Sequence, residues 1–118
     1  MAEQQPWGKS MSLDLYECEH DRLTDGKLLE EFVGQIIKVI GMVAHGPCYV
    51  DRFAEGELEG FSAMQFLKTS SVTVHLDEVA NRAFIDIFSC KDFDPEPAET
   101  YAKQFFGAKT SKHTVLVR

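Results

Sequence analysis

The sequence predicts an α+β fold: a two-layer sandwich with two helices on one face of a mainly antiparallel sheet. Three observations carry that expectation. Apolar residues recur at three- and four-residue spacing in only two stretches, near residues 26–40 and 95–106. Short alternating or continuous apolar runs, of strand length, fill most of the remaining chain. Several of these runs are joined by short connections rich in Gly, Asp, Asn and Ser, which suits hairpins and leaves no room for crossover helices. If the far face of the sheet is also apolar, a second subunit must cover it, so a homodimer or higher oligomer is expected.

The elements follow in order. Residues 1–9 contain Pro6 and Gly8 and are expected to form a flexible arm, anchored by Trp7, ahead of a single domain over 10–118. Met11, Leu13 and Leu15 alternate with Ser12, Asp14 and Tyr16, which predicts a half-buried strand. Polar residues from Glu17 onward read as a connection. Asp25 then caps a helix from Gly26 to Ile40 whose buried stripe is Leu28, Leu29, Phe32, Val33, Ile36, Ile37 and Ile40. Gly41 is placed to stop it. Strands are expected at Cys48 to Phe53, Phe61 to Leu67, Val72 to Leu76 and Ala83 to Phe88, the last two forming a hairpin. Asp94-Pro95 opens the second helix as cap and first residue, and Ala98, Tyr101, Ala102, Phe105 and Phe106 form its inner face. Gly107 ends it, and Thr114 to Val117 makes a last strand.

Composition narrows the function. The chain has 118 residues, enough for one core. Its 44% hydrophobic content, with nine Phe, three Tyr and one Trp, excludes a disordered chain. Nineteen acidic against twelve basic residues give a net charge of −7, and Lys and Arg are nowhere clustered. Nucleic acid and anionic membranes, which demand basic patches, are not expected as partners. An acidic field suits a cationic small-molecule substrate, and equally suits ordinary solubility. No apolar run has membrane-spanning length, and Met1 to Pro6 lacks the regions of an export signal. Cys18, Cys48 and Cys90 read as reduced thiols of a cytoplasmic protein.

Potentially reactive residues gather between Phe61 and Cys90. Ser70 sits in the polar run Lys68-Thr69-Ser70-Ser71, which taken alone reads as a turn. His75 shares a strand face with Thr73 and is the side-chain type suited to proton transfer near neutral pH. Ser62 interrupts an apolar strand and needs a hydrogen-bond partner if buried. Cys90 follows an apolar strand, where a free cysteine commonly serves as a small hydrophobe. Cys18-His20 and His45-Cys48 offer two thiolates and two imidazoles, but lack the two-to-four-residue Cys spacing of zinc ribbons and fingers, and no metal is expected.

The spacing decides among these readings. Ser62 lies eight residues before Ser70, His75 five after it, and Cys90 twenty after it. With Val72-Thr73-Val74 before the histidine and Phe84-Ile85-Asp86-Ile87-Phe88-Ser89 before the thiol, the stretch resembles the small prokaryotic S-adenosylmethionine decarboxylases, as a divergent member. Leu13 to Cys18, Asp94-Pro95 and Phe106-Gly107-Ala108-Lys109 extend the resemblance over most of the chain.

The resemblance implies a proenzyme that makes its own pyruvoyl group. Ser70 attacks the carbonyl of Thr69, and the chain is cut between them into residues 1–69 and 70–118. Ser62 holds the intermediate and His75 assists the elimination that follows. The ketone forms a Schiff base with a substrate amine and draws electrons as CO2 leaves, and Cys90 reprotonates the substrate carbon. The implied substrate is S-adenosylmethionine, which places the chain in spermidine and other polyamine synthesis. Phe53 matches an aromatic that stacks on adenine. The chain departs from the family pattern in carrying Thr69 for glutamate, Ser71 for histidine, Ser10 for an early histidine, and Val79 for the glutamate that holds the ribose hydroxyls. Glu78 is the neighbouring carboxylate able to replace it. The alternatives are a pyruvoyl decarboxylase for another cationic amino acid, and a homologue that neither processes nor catalyses.

Overall fold

A computed structural model describes residues 5–118; residues 1–4 of the expected arm lie outside them. The chain runs β1 (Lys9–Tyr16), α1 (His20–Leu23), α2 (Gly26–Val39), β2 (Ala44–Phe53), a single 3-10 turn (Gly56–Leu58), β3 (Gly60–Leu67), β4 (Ser70–Asp77), β5 (Arg82–Ser89), α3 (Pro95–Phe106) and β6 (Thr110–Val117). The six strands form one sheet in the order β2-β3-β4-β5-β1-β6, every neighbouring pair antiparallel. No helix among the described residues is long and apolar enough to cross a membrane.

The two long helices form for the local reasons their sequences carry. The Asp25 carboxylate accepts from the amides of Lys27 and Leu28, satisfying N–H groups that the first turn of α2 leaves open. Asp94 accepts from the amide of Glu96, Pro95 stands where a missing N–H costs nothing, and Gly107 ends α3 at φ +62°. The positive φ favours glycine there, whereas a Cβ, 2.7 Å from the exposed Glu19 side chain, would only push that side chain aside. The structure adds the short α1 inside the connection expected to be irregular, and its Leu23 is fully buried.

One core lies between helices and sheet. Leu29, Phe32, Val33 and Ile36 of α2 meet Ala98, Ala102 and Phe106 of α3 and the inward residues Met11, Leu13, Leu15, Val72, Val74, Ile85 and Ile87. Phe32 is its hub, with the rings of Tyr101, Phe105 and Phe106 centred 4.7–6.0 Å away. Strand alternation assigns every other residue to the opposite face. There Tyr49, Met64, Thr73, Asp86, Ser12 and Thr114 make one row across the six strands, by register. Tyr49, Phe53, Met64, Phe66 and Leu116 on this face are all more than 40% exposed, a large apolar content for a surface that no helix covers.

The strand ends extend beyond the expected limits. β1 begins at Lys9, and Gly8 pairs with Arg118 in both directions at 2.9 and 2.7 Å. Trp7 stacks on Phe88 with ring centroids 5.6 Å apart. β2 starts at Ala44, with a bulge between Ala44 and Cys48 that absorbs His45-Gly46-Pro47. Most consequential is the β3–β4 hairpin. Leu67 pairs with Ser70, so the polar run contributes a loop of only Lys68 and Thr69, and Ser70 and Ser71 belong to β4.

Candidate active site

Thr69 closes that loop in the left-handed region at φ +61°, an uncommon state for a β-branched residue and a source of local strain. The next residue, Ser70, turns its side chain to the helix-covered face, opposite Ser89 on β5. Its Oγ lies 3.2 Å from Ser89 Oγ and accepts from the Cys90 amide at 3.3 Å. The Cys90 sulfur touches Thr69 Oγ1. The end of β5 therefore grips both sides of the Thr69–Ser70 bond. Beside it opens a cavity of about 280 Å³, lined by Gly41, Met42, Lys68, Thr69, Cys90 and Lys91 among others. Lys91 closes one wall by donating from Nζ to the Gly41 carbonyl at 2.9 Å.

Ser62 and His75 are also brought together, but elsewhere. They are paired across β3 and β4, and Ser62 Oγ lies 2.8 Å from His75 Nδ1. Ser70 and His75 are five residues apart on one strand, an odd number. They consequently point to opposite faces and stand about 16 Å apart along β4. The four residues singled out by spacing thus form two pairs, Ser70 with Cys90 at the hairpin end of the sheet and Ser62 with His75 on the bare face.

Phe53 joins the second pair, lining a cavity of about 260 Å³ with Tyr49, Asp51, Ser62, Met64 and His75. Val79 lines a neighbouring cavity of about 410 Å³ that His75, Leu58 and Phe84 share. Glu78 is turned away from that cavity. Its Oε1 takes a hydrogen bond from Arg52 at 3.0 Å, Arg52 also lies 3.4 Å from Glu59, and its Oε2 is buried without a hydrogen-bond partner. The turn after β4 is held by Asp77, which accepts from the Val79 and Ala80 amides and pairs with Arg82. Burial raises the Asp77 pKa, but the Arg82 guanidinium and these two amides outweigh it and hold the carboxyl below its ordinary value.

The two Cys–His pairs do not converge. Cys18 follows β1 and Cys48 lies on β2, strands four places apart in the sheet and so roughly 19 Å from each other. Burial pushes the Cys18 thiol up to about 11, against a smaller opposing bond from Ala83. Burial also raises Cys48, with the Glu30 charge adding to it. Among the described residues, Glu96, Glu99 and His113 bring ligand-type atoms within 4.8 Å of one another. Three participants escaped the sequence reading: Ser89, Arg52 and Lys91. Only Ser89 left a signal, as the polar end of the inward series Ala83, Ile85, Ile87, Ser89.

The chain is similar to known proteins over most of its length. The family model described as S-adenosylmethionine decarboxylase matches residues 9–118. The chain is 32% identical over 103 residues to an S-adenosylmethionine decarboxylase proenzyme of Sulfurisphaera tokodaii, covering 86% of this chain and 80% of that one. It is 27% identical over 112 residues to the proenzyme of Anoxybacillus flavithermus, covering 94% and 86%. The crystal structure of the adenosylmethionine decarboxylase from Aquifex aeolicus superposes with a TM-score of 0.80 at 18% identity, over 98% of this chain and 92% of that one, and so shares its fold. The chain belongs to the S-adenosylmethionine decarboxylase family, as a divergent member.

Proposed function

We propose that this chain is a self-processing, pyruvoyl-dependent decarboxylase that cuts itself between Thr69 and Ser70. The observation that carries the proposal is the grip on that bond. Ser70 Oγ is held by the Cys90 amide beside a left-handed Thr69, and the Cys90 thiol lies against Thr69. A carbonyl whose residue is strained is a better target for the neighbouring hydroxyl than one in a relaxed strand. The arrangement fits a group derived from Ser70, since the serine borders a cavity instead of being sealed in the core. That group supplies an electron sink of the kind PLP supplies elsewhere. The chain's own residues do the rest: Cys90 carries a proton at Sγ, and Lys68 and Lys91 place positive charge on the rim, where a substrate carboxylate can be held.

Within one protomer Ser62 and His75 lie outside this site, on the bare face. The uncovered apolar face supports a homodimer packed through it; for the partner's Ser62 and His75 to serve Ser70, which faces the helices, that contact must pass the β3–β4 hairpin end. The three free cysteines support a reducing compartment such as the cytoplasm.

S-adenosylmethionine is the substrate the family points to, which places the chain in polyamine synthesis. Val79 favours a second reading. An apolar side chain, 64% exposed in the cavity beside His75, offers nothing to a ribose diol, while the adjacent Glu78 is committed to Arg52. A cationic amino acid without a nucleoside fits such a surface equally well. Intact mass of the purified protein tests the first claim: two pieces ending at 69 and beginning at 70 are expected, with Ser70→Ala left whole. A wild-type chain unbroken after long incubation at neutral pH would assign it to the non-catalytic homologues. CO2 release from S-adenosylmethionine, arginine and ornithine then separates the substrates.

A further inference from the structure

We infer that Ser89 is a positioning residue for the self-cleavage step, aiming the Ser70 hydroxyl at the Thr69 carbonyl. The inference rests on the self-processing reading above. Ser89 is fully buried, one of two buried polar residues among those described. A hydroxyl there must be satisfied, and its hydrogen bonds are fixed by count. It has one proton and two lone pairs. The shortest contact, 2.7 Å, goes to the Lys91 carbonyl, which can only accept, so the Ser89 proton is spent there and not on the Met42 sulfur, a weaker acceptor at 3.4 Å. The Lys91 amide donates to Ser89 at 2.9 Å and occupies one lone pair. The remaining lone pair faces Ser70 Oγ at 3.2 Å, so Ser70 is the donor in that bond.

The consequence falls on the nucleophile. A serine at the end of a hairpin ordinarily turns its proton toward a nearby backbone carbonyl. Here the proton of Ser70 is turned toward Ser89, and the Cys90 amide donates to the same oxygen at 3.3 Å. With both partners fixed on the β5 side, the oxygen is held in one rotamer with a lone pair left for attack. In the step itself, Ser70 Oγ forms a bond to the Thr69 carbonyl carbon and the bond from that carbon to the Ser70 nitrogen breaks. The hydroxyl proton ends on the freed amine, so atoms and charge balance with no co-reactant. Ser89 makes no bond in this exchange. Its place is secured in turn by Gly8, where a Cβ would stand 2.2 Å from the Ser89 carbonyl oxygen.

The test follows cleavage of the full-length chain by intact mass in wild type, Ser89→Ala, Ser89→Thr and Ile87→Val. Ser89→Ala is expected to slow cleavage about tenfold, as loss of one orienting hydrogen bond implies. Ser89→Thr keeps the hydroxyl and restores the rate. Ile87→Val loosens the same strand without touching Ser70 and cleaves as wild type, which separates positioning from general destabilisation. Hydroxylamine, which traps the ester, should capture less of it in Ser89→Ala, while decay of the ester already formed is unchanged. Wild-type cleavage in Ser89→Ala, or equal slowing in Ile87→Val, overturns the inference and leaves the self-processing reading standing. A wild-type chain that never cleaves removes both. Should Ser89→Ala fail to fold, Ser89→Cys, a weaker donor and acceptor of similar shape, must show the intermediate rate; a wild-type rate there overturns the inference.

Discussion

Ser62 Oγ and His75 Nδ1 lie 2.8 Å apart across the β3–β4 ladder, on the sheet face opposite Ser70. The pairing is local and solvent-facing, so its own contribution to stability is small, about 1 kcal/mol or less. In the proposed homodimer this pair would be presented to a second copy. His75→Ala is expected to abolish cleavage while leaving the fold intact. Refolded together with Ser70→Ala chains, the His75→Ala chain should be cut if the partner's His75 serves its Ser70. Mass spectrometry of the mixture checks this. Cleavage of His75→Ala by itself, or none in the mixture, would remove the shared site.

Strain at Thr69 gives a second prediction. In a Ser70→Ala background, where no cut occurs, Thr69→Gly should raise the urea midpoint. Relief of a left-handed β-branched residue is worth roughly 1–3 kcal/mol, and the added freedom of glycine in the unfolded chain takes back less than about 1. A net gain near 1 kcal/mol is expected, and a lower midpoint would show that the loop is relaxed.

Acid should loosen the contact between α3 and β6. Burial raises the Glu99 pKa, but hydrogen bonds from His113, at 2.6 Å, and from Ser111 outweigh it and hold the carboxyl below its ordinary 4.5. A lowered folded-state pKa means the unfolded chain binds the proton more readily, so this stabilisation is complete above pH 4.5 and fades as pH falls through the lowered value. His113→Gln should therefore lower the urea midpoint at pH 6, with the difference from wild type shrinking toward pH 3. A difference that stays constant over that range would rule out the carboxylate as its source.

Much of the fold was legible because its signals are local. Asp25 and Asp94 are capping residues, the Leu28–Ile40 stripe has one period, and the strands alternate with theirs. What was not legible depends on pairing at a distance. Thr69 can adopt a conformation rare for its type, and that one residue turns a four-residue polar connection into a two-residue loop with Ser70 inside a strand. No periodicity places β1 between β5 and β6, because that choice is made by contacts across some seventy to a hundred residues. Spacing singled out Ser62, Ser70, His75 and Cys90 as candidates. The odd interval from Ser70 to His75 already held their separation onto two faces, but it has meaning only once a single strand is known to carry both.

The position of β1 bears on the outcome of the cut proposed between Thr69 and Ser70. A cut between Thr69 and Ser70 would leave β1, β2 and β3 on one piece and β4, β5 and β6 on the other. Because β1 is threaded between β5 and β6, and β3 pairs with β4, three of the five ladders then join different polypeptides. The two products would be plaited together. Neither carries a sheet that closes a core alone, and pulling them apart means unravelling the domain. Severing one peptide bond at a surface hairpin changes the chemistry of the chain's end while the scaffold around it keeps its shape.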